Sequence, residues 1–140
     1  MARTPLEAQL MDHEGLKLRA YLCPAGRVSI GIGRNLQDKG ITAEEAMLLL
    51  RNDIEECEGD LRLSFGFFAR LSEPRQRALV DLRFNLGPGR FRLFKKMIAA
   101  LAKDDYETAA QELETSSWFT QVQPKRATRL VRQIRTGQDK

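Results

Sequence analysis

The sequence predicts an α+β protein, mostly helical, with its few strands gathered near the N-terminus. Three observations lead there. Residues 18–32 carry an alternating pattern interrupted by a Pro-Gly turn, as a hairpin would. From Thr42 onward apolar residues recur at three- and four-residue steps, and helix-start signals stand in front of several of those stretches. Strands in one block and helices in another make segregated layers, not alternating βαβ units.

The first helix is expected from Thr4. Thr4 and Glu7 form an S/T-x-x-E capping box, and Pro5 takes the first helical position, where its missing N–H costs nothing. Leu6, Leu10 and Met11 make its apolar stripe. Gly15 suits the residue just past the C-terminus, so Glu14 falls at the mouth of the helix. Strands follow at Leu18–Leu22 and Val28–Ile32, joined by Cys23–Arg27, with Leu18, Ala20 and Leu22 expected on the covered face. Gly31 and Gly33 indicate that a ligand or a packed neighbour approaches the backbone. Asp38-Lys39-Gly40 closes this lobe.

A second capping box, Thr42 with Glu45, opens a helix striped by Met47, Leu50, Ile54, Cys57 and Leu61, with Gly59 as an early stop. Cys57 on that stripe reads as a small buried apolar residue. Another helix runs from Ser72 to Gly87-Pro88-Gly89, and a fourth from about Phe91 to Ala102. Asp105 caps the next, a turn carries Trp118 and Phe119, and Pro124 opens a basic helix ended by Gly137. The expected organisation is one domain over residues 1–140. Its small β lobe covers about 15–40, and its helical lobe about 41–137 together with helix 4–14.

Composition excludes several classes. The 140 residues are 42% hydrophobic and 30% charged, ordinary for a globular chain able to bury a core without staples. No run approaches the ~18 apolar residues that span a bilayer, and the acidic N-terminus lacks a secretory core. Synthesis in a cytoplasm and no stable membrane insertion are therefore expected. Cys23 and Cys57 do not make a disulfide framework, and one histidine with no ligand-spaced cluster implies neither metal nor cofactor. The net charge of +4 is uneven, because residues 124–140 carry six basic residues against Asp139. Such an end suits nucleic acid, an anionic wall or plain water.

Glu14, Cys23 nine positions on and Ser29 six beyond it, within HEGLKLRAYLCPAGRVSIGIGR, resemble the Glu–Asp–Thr spacing of phage-type lysozymes, glycoside hydrolase family 24. Phe84-Asn85-Leu86-Gly87 with Gly89 and Phe91 resembles that family's FN-x-G-x-G-x-F segment. Trp118, Arg126, Arg129 and Arg135-Thr136-Gly137 resemble its W…R…RTG ending. The ordered match extends from Thr4 to Gly137. Three positions depart from the pattern: Cys23 stands at the aspartate, Ser29 at the threonine and Arg34 at a common histidine.

The resemblance implies a lysozyme-like fold, with a small β-hairpin lobe and a larger helical lobe across a cleft. It implies a muramidase cutting the β-1,4 bond between N-acetylmuramic acid and N-acetylglucosamine in peptidoglycan, acting at the cell wall after release by a separate membrane-opening partner, as a monomer. Glu14 would be the general acid, which such chemistry needs beside a second group that delivers water or attacks the anomeric carbon. Ser29 would orient water, Arg126 would pair with Glu14, and Phe84, Asn85 and Asn35 would bind substrate. For Cys23 three roles stay open. Its thiolate, stabilised by Arg34 or Arg126, positions water; or it attacks directly; or the site is silent and the protein binds glycan only. A nucleic-acid-binding reading of the basic helix lacks an aromatic stacking platform, so no nucleic acid is the expectation.

Overall fold

The computed structural model describes residues 2–139. By its internal contacts the chain divides into two compact units, Met1–Leu49 and Leu50–Lys140.

In the first unit, α1 (Pro5–Glu14) starts on the expected box. Glu7 N–H donates to Thr4 Oγ1 at 3.1 Å, and Thr4 N–H donates to Glu7 Oε1 at 2.6 Å. Gly15, at φ 76°, ends the helix with its N–H on the Met11 carbonyl. The strands β1 (Lys17–Leu22), β2 (Val28–Gly31) and β3 (Arg34–Asn35) form an antiparallel sheet in that order. Tyr21 pairs with Ser29, Leu22 with Val28, and Ser29 in turn with Asn35. The connection closes with Cys23 N–H on Arg27 O at 3.0 Å and Gly26 N–H on Cys23 O at 2.8 Å. Helix α2 (Leu36–Lys39) is capped by Asn35 and ties back through Gln37 Oε1, which accepts from Val28 N–H.

Two expectations change here. The chain after Gly33 is a third strand and a short helix, not a simple closing turn. Leu18 and Leu22 are 81% and 69% exposed, because β1 is an edge strand and α2 packs on β2 and β3 instead. Among the described residues of this unit only Ser29, on the central strand, is buried.

Helix α3 (Ala43–Ser64) opens on the second box, Thr42 with Glu45, and runs through Gly59 without stopping. Only Cys57 and Leu61 of its stripe are buried. After a 3₁₀ turn at Phe68–Arg70, α4 (Glu73–Phe91) is capped by Ser72 and broken at Gly87, whose φ of 83° and ψ of 169° leave helical space. The expected stop is therefore a break, with one more turn beyond it. That turn uses Phe91, so α5 starts only at Lys95 (Lys95–Ala102) and not near Phe91. Asp105 caps α6 (Tyr106–Glu114), as expected. The Trp118 turn is a short helix, α7 (Ser117–Gln121), and α8 (Pro124–Thr136) ends at left-handed Gly137. One apolar core fills this unit, from Leu61 through Phe68, Leu79, Leu82, Phe91, Met97, Leu101 and Leu113 to Leu130 and Ile134. The basic residues of α8 lie outside it, and several are paired: Arg126 with Asp81, Arg129 with Asp139, and Arg135 with Glu107 and Glu114.

Candidate active site

Glu14 is exposed at the last position of α1, and its carboxylate lies over Gly33. A Cβ built on Gly33 would stand 2.6 Å from Glu14 Oε2 and 2.9 Å from its Cδ, closer than real contacts allow. Gly33 also has φ +71°, so two independent constraints call for glycine there. The close approach that Gly33 signals is thus made by a packed neighbour, and that neighbour is Glu14. At Gly31, also of positive φ, a Cβ would meet nothing within 4 Å.

Cys23 and Ser29 come together at the closed end of the hairpin. Ser29 Oγ donates to the Arg27 carbonyl oxygen at 3.1 Å. The Cys23 thiol is held below its ordinary range chiefly by the Arg27 backbone N–H, with Ala25 N–H and the Ser29 hydroxyl adding to it against some desolvation.

Of the two arginines expected to stabilise the thiolate, Arg34 is engaged elsewhere: its guanidinium donates to Glu45, Nη1 to Oε1 at 2.9 Å and Nη2 to Oε2 at 2.8 Å, and to Gly40 O. That bidentate bond, helped by Thr42 N–H, lowers Glu45 to about 2. Asn35 is occupied as well: its Oδ1 accepts from Asp38 N–H, and its Nδ2 donates to Asp38 Oδ2.

In the second unit Phe84 and Arg126 line one groove of about 660 Å³ with Asp81, Val80, Ile54 and Leu50. Arg126 Nε donates to Asp81 Oδ1 at 2.7 Å, a partner that helical periodicity gave no means of choosing. Asn85 is turned to Trp118, whose indole N–H donates to Asn85 Oδ1 at 2.9 Å. Among the described residues no three His, Cys, Asp or Glu side chains gather as a metal site, and no helix is long and apolar enough to cross a membrane.

A family model described as phage lysozyme matches residues 11–135, a span holding Glu14, Cys23, Ser29, Phe84, Asn85 and Arg126. The chain belongs to the phage lysozyme family. That membership makes it a glycoside hydrolase, of α+β lysozyme-like fold. Among its relatives, a probable T4-type lysozyme 2 of Dictyostelium discoideum is 28% identical, with 94% of each chain covered. An endolysin of Acyrthosiphon pisum secondary endosymbiont phage 1 is 34% identical over 71% of this chain and 68% of its own. The pre-baseplate central spike protein Gp5 of Enterobacteria phage T4 is 26% identical over 91% of this chain, which spans only 27% of that protein's length.

Proposed function

We propose that this phage lysozyme family member is a muramidase, hydrolysing the β-1,4 bond between N-acetylmuramic acid and N-acetylglucosamine in peptidoglycan. The observation that carries the reading is the seat of Glu14. Within a span matched by the family, a carboxyl group at a helix mouth lies over a glycine whose missing Cβ leaves room for it.

In this reading Glu14 protonates the glycosidic oxygen as the bond to the anomeric carbon breaks. A water held between the Cys23 sulfur and the Ser29 hydroxyl attacks that carbon from the opposite face, and the thiolate takes the proton the water sheds. The lowered thiol supports this part, since it raises the share of thiolate available to take a proton. The configuration of the product is then inverted; direct attack by sulfur would retain it.

Phe84 and Asn85 contact sugar, and Arg126, held on Asp81, lines the groove beside Phe84. Asn35, whose amide is held by Asp38, adds a sugar contact at the end of β3. The protein acts as a monomer at the cell wall, reached through a membrane opened by another protein.

The test counts reducing ends released from purified peptidoglycan and follows the anomeric signal by NMR. Wild type should release them with inversion, Glu14→Gln should lose about 10²–10⁴-fold in rate, and Cys23→Asp should stay active. Wild type that sediments with peptidoglycan yet releases nothing would sink the enzymatic reading and leave a binding module.

A further inference from the structure

The break in α4 is bridged by one carboxylate from another helix. At Gly87 the backbone turns out of helical space, so the direction of the following turn is not fixed by helical hydrogen bonds. Arg83 stands one helical turn before the break and Arg92 just beyond its far side. Both meet on Asp60 of α3.

Arg83 Nε donates to Asp60 Oδ2 at 3.0 Å, while Arg92 donates Nη1 to Oδ2 at 3.2 Å and Nη2 to Oδ1 at 2.7 Å. Ser64 Oγ completes the set at 3.1 Å. Arg92 Nη1 also donates to the Pro88 carbonyl at 2.9 Å, which grips the first residue after the break. Arg83 is itself only 7% exposed, and its other close contacts are the Cys57 sulfur at 3.6 Å and Glu56 at 3.9 Å.

The residues between these anchors carry the sugar contacts named above. Phe84 follows Arg83 directly, and Asn85 is held by Trp118 two residues before Gly87. Apolar packing of Leu82, Leu86 and Phe91 also holds both sides of the break, but it is not directional, whereas the charged grip on Asp60 fixes the angle between them. We propose that Asp60 is a positioning residue: by fixing Arg83 and Arg92 on either side of Gly87, it sets how Phe84 and Asn85 are presented to the glycan. The role of those two residues rests on the muramidase reading.

Trp118 is the chain's only tryptophan and bonds Asn85, so its indole N–H resonance reports the presentation without any turnover. Asp60→Asn keeps the shape of the side chain but loses the charge and the two-oxygen grip. It should shift the indole resonance and raise KM for peptidoglycan at least fivefold, with kcat within twofold of wild type. Arg92→Lys, which keeps the charge but cannot fork, should fall between. The control is Arg70→Ala, which breaks the exposed Arg70–Asp104 pair and should move neither KM nor the indole.

An unmoved indole with wild-type KM in Asp60→Asn overturns the proposal. So does a parallel fall in kcat and in folded fraction with KM unchanged, which would leave Asp60 a stabilising residue only. Should wild type release no reducing ends, the muramidase reading falls separately, and the indole shift in Asp60→Asn and Arg92→Lys decides the positioning.

Discussion

Each unit of the molecule has a glycine lying under a charged side chain, and the two units use that arrangement differently. At Gly137 a Cβ would stand 2.6 Å from Arg75 Nη1, much as one at Gly33 would strike Glu14. Arg75 spends its donors: Nε on Ile134 O at 2.8 Å and Nη2 on Arg135 O at 3.1 Å, with its plane 3.5 Å from the Tyr106 ring centre. It fastens the last carbonyls of α8 to the start of α4. Among the described residues of its own unit the Glu14 side chain makes no hydrogen bond, so the space over Gly33 seats a carboxyl group whose capacity is not consumed by them. Room over a glycine serves cohesion in one case and, in the muramidase reading, chemistry in the other. The surroundings agree, since the second unit has the apolar core and the first is joined by caps, sheet pairing and ion pairs.

Substitution at the two glycines should therefore separate activity from stability. Gly33→Ala has to displace Glu14, and misplacing a catalytic group by about 1 Å can cost about 10²-fold. Reducing-end release should fall by that order while the urea midpoint of the second unit stays put. Retained activity would break the comparison.

Gly137→Ala should do the reverse, costing about 1–3 kcal/mol in urea unfolding through the left-handed backbone and the blocked guanidinium, with near-normal activity per folded molecule. Because Arg75 is the group struck, Arg75→Ala and Gly137→Ala should be less than additive in a double-mutant cycle. Full additivity would mean that the clash is not what matters.

The smallest effect expected is at the Arg34–Glu45 pair. Its folded carboxyl is depressed to about 2 from 4.5, so its contribution is present above about 4.5 and is lost as pH falls through about 2. Amide protection factors around residues 34–46, taken relative to the intrinsic exchange rate at each pH, should fall across that window in wild type and not in Glu45→Gln. The pair is partly exposed, so the change should be local.

Much of this was legible locally. Both capping boxes, the Cys23–Arg27 connection, the Asp105 cap and the Gly137 stop are each specified by residues within a few positions, and each forms. The short pieces were not. Helix α2 has four residues, too few for any periodicity, and β3 has two. The start of α5 was misjudged because Phe91 fits an apolar stripe on either side of the Gly87 break. Gly59 did not stop α3, since a single glycine costs only about 1 kcal/mol inside a long helix.

At the candidate site, the sequence names Glu14, Cys23 and Ser29 as candidates and flags Gly33. It could not show that Glu14 was the group approaching Gly33, or that Arg34 had Glu45 as its partner, because both depend on which side chains the sheet brings together. The Asp60 hub left no trace in periodicity at all: one more acid on a helix rich in acids.

The clasp at the end of α8 also bears on how the chain reaches its fold. Ser72, Arg75 and Arg77 grip residues 134–139, and Ala127, Leu130, Val131 and Ile134 fill the same core as Ala78, Leu79 and Leu82. Contacts across roughly 60 residues of sequence close slowly. During synthesis, α4 and α5 emerge with their apolar faces waiting for α8, so the second unit cannot lock until residue 139 has cleared the ribosome. The hairpin and its caps, all local, can form well before then.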